Sequence, residues 1–166
     1  MKIVEVSGAA EIAVVRELFE EYWRSFGFTP CFQGFAEEVA GLPGKYTPPG
    51  GALALLLMDG LPAGCVAPRR FDQSRGEFKR LYVRPAYRGQ NLGRELLSWV
   101  IARARQIGYR ELLADTMPQM TAALAMYEAD GFERTPPYAE DPTPGAVYLR
   151  LKLHGGAADP ADTKES

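Results

Sequence analysis

The sequence predicts an α/β (α+β) domain in which alternating strand patterns surround one helical crossover. Three observations carry this. Ala52–Met58 and Pro62–Arg70 alternate like strands and are joined by Asp59-Gly60, the strongest short hairpin signal in the chain. Glu77–Val83, a helical pattern from about Leu92 to Gln106, and Glu111–Thr116 follow one another with the spacing of a strand–helix–strand crossover. Between Ala10 and about Phe26, apolar residues recur at helical spacing.

In order, Lys2–Val6 reads as a first strand. Ile12, Val15, Leu18, Phe19, Tyr22, Trp23 and Phe26 then form the apolar stripe of a helix closed by Gly27. Stripes of this kind are usually core, so Trp23 and Phe26 are read as packing residues. A second, short helix spans roughly Phe35–Leu42, and Thr47–Gly51 is turn chemistry. The hairpin leads through a polar connection, Phe71–Gly76, into Glu77–Val83. Pro85 cannot donate to a sheet ladder, so that strand should stop near Arg84. Leu96, Leu97, Val100, Ile101, Ala104 and Ile107 define the buried stripe of the crossover helix, with Gly108 just past its end. Met120–Phe132, with Pro118 in its first turn, is a further helix closed by Gly131. Val147–Leu153 is a last alternating strand, and 154–166 is expected to be disordered.

The chain is organised around Glu77–Gly93, EFKRLYVRPAYRGQNLG. The loop Arg88-Gly89-Gln90-Asn91-Leu92-Gly93 runs directly into a helix, where free N–H groups and the helix dipole favour an anion. Between Glu77 and Arg94 stand five basic residues, Lys79, Arg80, Arg84, Arg88 and Arg94, against one acid, while the whole chain is formally −2. The stretch therefore reads as a positive island cradling a diphosphate. It contains neither GxxxxGK[ST] nor GxGxxG.

At 166 residues the chain suits one domain, since about 150 residues bury about two-thirds of their unfolded surface. An apolar fraction of 46% and a charged fraction of 24% are ordinary for a soluble globular protein. No apolar run is long enough to span a membrane and KIVEV is not a leader, so a cytoplasmic domain without membrane contact is expected. Cys31 and Cys65 form no disulfide framework and read as small buried apolar residues. A single histidine, His154, excludes a multi-histidine metal site and disfavours Ser-His-Asp chemistry. One basic island on an acidic chain is too little for nucleic acid.

The loop fits [QR]-x-x-G-x-[GA] at Arg88 and Gly93, with Asn91 in place of the middle glycine. Asn tolerates positive φ better than any residue but Gly, so the turn should survive. MYEADGF, at 126–132, matches [LM]-Y-E-x-x-G-F. Together these resemble the coenzyme A-binding core of the GNAT (GCN5-related) N-acetyltransferases, with agreement in element order over residues 1–153. The resemblance implies a mixed, mostly antiparallel sheet of six to seven strands with helices on both faces, splayed between its two parallel strands at the coenzyme site. It implies acetyl-CoA as acyl donor, held by Leu81, Tyr82 and Val83 and by Arg88, Gly89, Gln90, Asn91, Leu92, Gly93 and Arg94. It also implies no metal, and a backbone N–H near Tyr82 or Val83 facing the developing oxyanion.

By the same resemblance Glu77 is the expected general base, on a face shared with Lys79, Leu81 and Val83. Glu37, Glu38 and Asp115 are lesser competitors. Tyr127 is the expected general acid, because a phenol stays protonated at neutral pH and can donate to a leaving thiolate. The acceptor side offers aromatics (Phe28, Phe32, Phe35, Tyr46, Tyr138) beside acids (Glu37, Asp72, Glu140, Asp141), a mixture able to attract a cation. The expected activity is acetylation of a primary amine on a small molecule. A protein or peptide acetyltransferase and a non-catalytic acyl-CoA sensor remain open, as does a homodimer.

Overall fold

A computed structural model of the chain describes residues 1–27, 34–140 and 142–153. In chain order the elements are β1 (Lys2–Glu5), α1 (Ala9–Ser25), α2 (Phe35–Ala40), β2 (Ala54–Met58), β3 (Leu61–Arg70), β4 (Arg75–Val83), α3 (Leu92–Ile107), β5 (Glu111–Thr116), α4 (Thr121–Ala129), β6 (Glu133–Thr135) and β7 (Val147–Lys152). Seven strands form one sheet in the order β1-β2-β3-β4-β5-β7-β6. Every neighbouring pair is antiparallel except β4 and β5. Six of the strands follow the sequence reading. β6 does not: it is three polar residues at a sheet edge, with no alternation to betray it. Pro118 lies in a turn just ahead of α4 rather than within its first turn. Phe28, Cys31, Phe32, Asp141 and His154, and the segment 154–166 expected to be disordered, lie outside the described residues.

Two apolar layers cover the sheet. Leu96, Leu97, Val100 and Ala104 of α3 join Leu124 and Tyr127 of α4 on one face. Val15, Leu18, Phe19 and Trp23 of α1 join Phe35 and Val39 of α2 on the other. The Asp59-Gly60 hairpin turn has positive φ at both residues, as a two-residue turn matching strand twist requires. Cys65 is fully buried with its thiol on the Arg80 carbonyl.

The strand that positions the site is irregular at one point. Cys65 pairs with Tyr82 and Ala67 with Lys79, so β4 carries one more residue than β3 over this interval. The extra residue bulges at Arg80, which sits in the left-handed region at φ 62°. The bulge reverses the alternation. Leu81 and Val83 turn to the α3 face, whereas Tyr82 joins the α1 face. Glu77 lies on the α1 side, bound to Arg69, whose guanidinium approaches the Tyr46 ring. Glu77 therefore does not share a face with Leu81 and Val83, contrary to the unbroken alternation that the sequence suggests.

A second consequence follows at the other edge of β4. Its parallel pairing with β5 covers only Arg75↔Glu111, Gly76↔Leu112 and Glu77↔Leu113. Beyond that the two strands part, leaving the Phe78–Val83 backbone without a β5 partner.

Gly64 faces the bulge across β3. A Cβ there would lie 2.5 Å from the Tyr82 carbonyl oxygen and 3.2 Å from Leu96 Cδ1, and the backbone atom cannot yield cheaply. Gly64→Ala should cost about 2 kcal/mol, read as a fall in Tm of roughly 4–8 °C; an unchanged Tm would show that the β3–β4 spacing adjusts freely. Tyr22 of α1 packs against Tyr82, ring centroids 5.5 Å apart. Burial pushes its phenol up to about 12, with Arg80 opposing and Asp115 adding to the rise. The unfolded chain ionises this tyrosine near its ordinary value of 10, so the group stabilises the fold fully below that pH and loses its contribution as pH climbs toward 12. Denaturant unfolding across this window should show stability declining with pH, less steeply in Tyr22→Phe; parallel curves for the two proteins would place Tyr22 in contact with water.

Candidate functional site

The loop between β4 and α3 has the conformation its sequence suggests. Gly89 (φ 84°) and Asn91 (φ 61°) are both left-handed, and Asn91 is the N-cap of α3 without capping it through its side chain. Among the described residues the N–H groups of Leu92, Gly93 and Arg94 thus have no intrahelical acceptor and no side-chain cap from Asn91, whereas Glu95 N–H donates to the Asn91 carbonyl. A Cβ at Gly89 would meet nothing within 4 Å, so the loop is open above that point. Leu92 is buried beneath it, and Gly93 lies against Met126. Main-chain donors, a helix dipole and open space fit a diphosphate.

The positive island is another matter. Lys79 pairs with Asp115 (3.2 Å) and Glu77 (3.8 Å). Arg80 pairs with Glu38 (3.0 Å). Arg84 pairs with Glu21 (2.9 Å) and Glu17 (3.3 Å), and Arg94 with Asp130 (2.7 Å). Among the described residues only Arg88 of the five has no carboxylate partner; its Nε donates to the Val83 carbonyl (3.1 Å). The candidate anion site therefore offers backbone donors rather than accumulated side-chain charge. The sequence counted cations without the acids that other elements bring to them.

Tyr127 stands where the sheet opens. Its ring is edge-on to Phe78 (5.6 Å) and 5.7 Å from Phe132, within the α3–α4 layer. Burial holds its phenol far above the ordinary tyrosine range, and Tyr22 and Asp115 raise it further. Those two groups belong to α1 and β5. Tyr127 is protonated at neutral pH.

On the α1 side of the sheet lies a cleft of about 60 Å³. Tyr22, Trp23 and Phe26 from α1, Lys79 and Arg80 from β4, Asp115 and Thr116 from β5, Met117, and Thr143 with Ala146 before β7 line it. Glu77 does not. It is 3% exposed, with one carboxylate oxygen on Arg69 (2.9 Å) and the other facing Lys79 (3.8 Å). Asp115 reaches the cleft directly. Glu38 is committed to Arg80 and Tyr46, and Glu37 is exposed on the first turn of α2.

The acceptor-side expectations are only partly met. Phe35 and Tyr46 are core residues, 4% and 2% exposed. Asp72 holds Arg75 (2.7 Å) and caps its own turn. Glu140 is exposed and, like Glu37 and Asp72, does not line the cleft. The Tyr138 ring packs against Phe71 and Tyr148. Its hydroxyl is buried without a hydrogen-bond partner of ordinary geometry, and burial together with nearby Glu77 keeps it protonated. Sequence reasoning missed Lys79 and Arg80 as cleft residues, because the bulge that turns Arg80 inward has no signature at an arginine. Tyr22, Thr116 and Met117 carried no signal beyond core or strand-end character.

Among the described residues no helix is long and apolar enough to cross a membrane. The Acetyltransferase (GNAT) family model matches residues 13–132. An uncharacterised N-acetyltransferase of Schizosaccharomyces pombe is 37% identical over 138 residues, covering 82% of this chain and 85% of its own. An acetyltransferase from Streptococcus agalactiae superposes with a TM-score of 0.78 at 19% identity, over 92% of this chain and 98% of that one. A GNAT family acetyltransferase from Elizabethkingia anophelis with acetyl-CoA bound gives 0.67 at 20% identity, over 92% and 97%. The open main-chain cradle, the parted parallel strands and the matched span together make this chain an acyltransferase of the GNAT N-acetyltransferase family.

Proposed function

We propose that the chain moves an acetyl group from acetyl-CoA to a primary amine of a small molecule by direct transfer. One observation supports the reading: β4 and β5 part beyond Glu77↔Leu113, with Phe78 of β4 against the Tyr127 ring and Lys79, Arg80, Asp115 and Thr116 of the same two strands lining the polar cleft. The coenzyme thioester supplies the activated acyl group. The first-turn N–H groups of α3, with Gly89 and Asn91 shaping the approach, hold its diphosphate. The unpaired edge of Leu81, Tyr82 and Val83 holds the arm that follows, and an N–H near Tyr82 or Val83 polarises the carbonyl. The small cleft, walled by α1 and by Thr143 and Ala146, supports a compact acceptor over a peptide.

Proton traffic falls to two sides of the opening. Tyr127, kept neutral by its burial, donates to the departing thiolate. The amine proton leaves toward the carboxylates flanking Lys79. Asp115 lines the cleft and needs no relay, whereas Glu77 lies beyond the Lys79 ammonium and needs a bridging water. Asp115 is therefore the acceptor of that proton, and Glu77 fixes Lys79 and Arg69 behind it.

Tyr127→Phe should lower kcat roughly 100-fold while calorimetry shows little change in acetyl-CoA affinity; equal losses in both, or none, would remove the acid role. If calorimetry with the unaltered protein detects no acetyl-CoA, the reading fails outright. Asp115→Asn should lower kcat/KM about ten-fold or more, and Glu77→Gln should lower it less; if Glu77→Gln costs more than Asp115→Asn, Glu77 is the base.

A further inference from the structure

The acceptor end of the cleft has a charge pattern opposite to the one its neighbouring sequence suggests. The acids expected to draw in a cation, Glu37, Asp72 and Glu140, do not line it. Two cations do, Lys79 and Arg80, against one anion, Asp115. A polycationic acceptor entering this space finds no free cluster of carboxylates, because Glu38 is held by Arg80 and both Glu77 and Asp115 flank Lys79. Lys79 is 16% exposed and Arg80 9% exposed at their side chains.

Both cations keep donor capacity. Lys79 Nζ has three donors and two carboxylate neighbours, the more distant at 3.8 Å. Among the described residues Glu38 engages Nε and Nη2 of Arg80, two of its three nitrogens. Beside them Asp115 presents its carboxylate to the same space, 3.2 Å from Lys79 Nζ. A positive and a negative group held this close match a molecule carrying an ammonium and a carboxylate on one carbon. Such a zwitterion lies head-to-tail against the ion pair, its ammonium on Asp115 and its carboxylate on Lys79, with Arg80 beside it. Tyr22, Phe26, Met117 and Ala146 leave an apolar wall for a side chain.

Resting on the acetyltransferase reading above, we propose that the acceptor is an α-amino acid with an apolar or weakly polar side chain, selected by Lys79 through its carboxylate. Acetylation forms the N–C bond of an N-acetyl amino acid and breaks the thioester C–S bond; of the two protons the ammonium loses, one goes to Asp115 and the other replaces the one Tyr127 gives to the thiolate, so free coenzyme A leaves as the thiol. Lys79 is a specificity residue in this scheme. Discrimination arises because an amine without a carboxylate leaves the desolvated Lys79 donor unpaired.

The test uses matched pairs that differ only in the carboxylate: L-methionine with 3-(methylthio)propylamine, and L-phenylalanine with phenethylamine, with spermidine as a polycation. Release of free thiol from acetyl-CoA is followed for each. We expect at least one amino acid to exceed its matched amine by ten-fold or more in kcat/KM, and spermidine to be poor. Lys79→Met should abolish that preference by raising KM for the amino acid at least ten-fold more than KM for its matched amine, any effect on kcat through Asp115 being common to both. Lys79→Gln, which retains a neutral donor, should give an intermediate value and serves if the methionine variant does not fold.

Amines acetylated as well as their amino acids, efficient spermidine turnover, or a Lys79 variant that lowers both members of a pair equally would each overturn the assignment. So would a protein that binds acetyl-CoA by calorimetry yet acetylates none of the amino acids. Absence of acetyl-CoA binding would instead remove the underlying reading, and the acceptor assignment with it.

Discussion

A single additional residue in β4 governs the architecture of the site. With Arg80 at φ 62°, a conformation of order 1–3 kcal/mol above the ordinary regions for a non-glycine residue, the strand changes phase between Lys79 and Leu81. The surroundings offset that cost. Glu38 takes the guanidinium at 3.0 and 3.2 Å, and its carbon lies 4.9 Å from the Trp23 ring and 5.3 Å from the Phe35 ring. Trp23 and Phe35 are themselves stacked at 4.3 Å, which fixes α2 on α1. The strained residue and the helical layer that covers it thus stabilise each other. Relaxing the bulge would withdraw Arg80 from all three partners and drive Leu81 and Val83 from the α3 layer.

The same phase change sorts the groups near the opening by chemistry. Phe78, Leu81 and Val83 of β4 face the layer that carries the anion loop, and Glu77, Lys79 and Arg80 lie on the α1 side, the last two lining the cleft. There the charges alternate in sign: Arg69 to Glu77 at 2.9 Å, Glu77 to Lys79 at 3.8 Å, Lys79 to Asp115 at 3.2 Å. Each interior charge has a neighbour of opposite sign, which limits the desolvation cost of holding them out of water. Asp115 ends the chain on the cleft side, where among the described residues it has one ionic partner rather than two. In the proposed reaction this terminal position leaves it able to take the substrate ammonium.

Much of this was legible in the sequence, and what was not has physical causes. β5 ends where the alternation ends, at Glu111 and Thr116. Asn91 adopts the left-handed conformation that its chemistry permits, and Gly108 and Gly131 close their helices with positive φ. These are local properties carried by the residues concerned. β6 is too short and polar to leave a period. The fate of Lys79, Arg80, Arg84 and Arg94 depends on carboxylates from β5, α2, α1 and the end of α4, which no local pattern reports. The phase of β4 was misread for the same reason. A bulge at glycine announces itself, whereas a bulge at arginine is imposed by tertiary partners.

Backbone recognition on one side of the sheet and side-chain recognition on the other give the two halves of the site different tolerances. The cradle needs N–H groups at the start of α3 and positive φ at Gly89 and Asn91, conditions many sequences meet. The cleft depends on the identities of Tyr22, Lys79, Arg80 and Asp115, each positioned by a separate element. Substitution at these positions alters the charge met by an incoming amine without touching the α3 N-terminus. Tyr127 is the exception, because it belongs to the apolar layer yet its phenol is raised by burial and also by Tyr22 and Asp115. Its packing against Phe78 and Phe132 fixes the ring, so in the proposed reaction the donor to the leaving group is placed by the core itself. A change in either aromatic neighbour would shift that ring, and core packing would then enter the proposed chemistry.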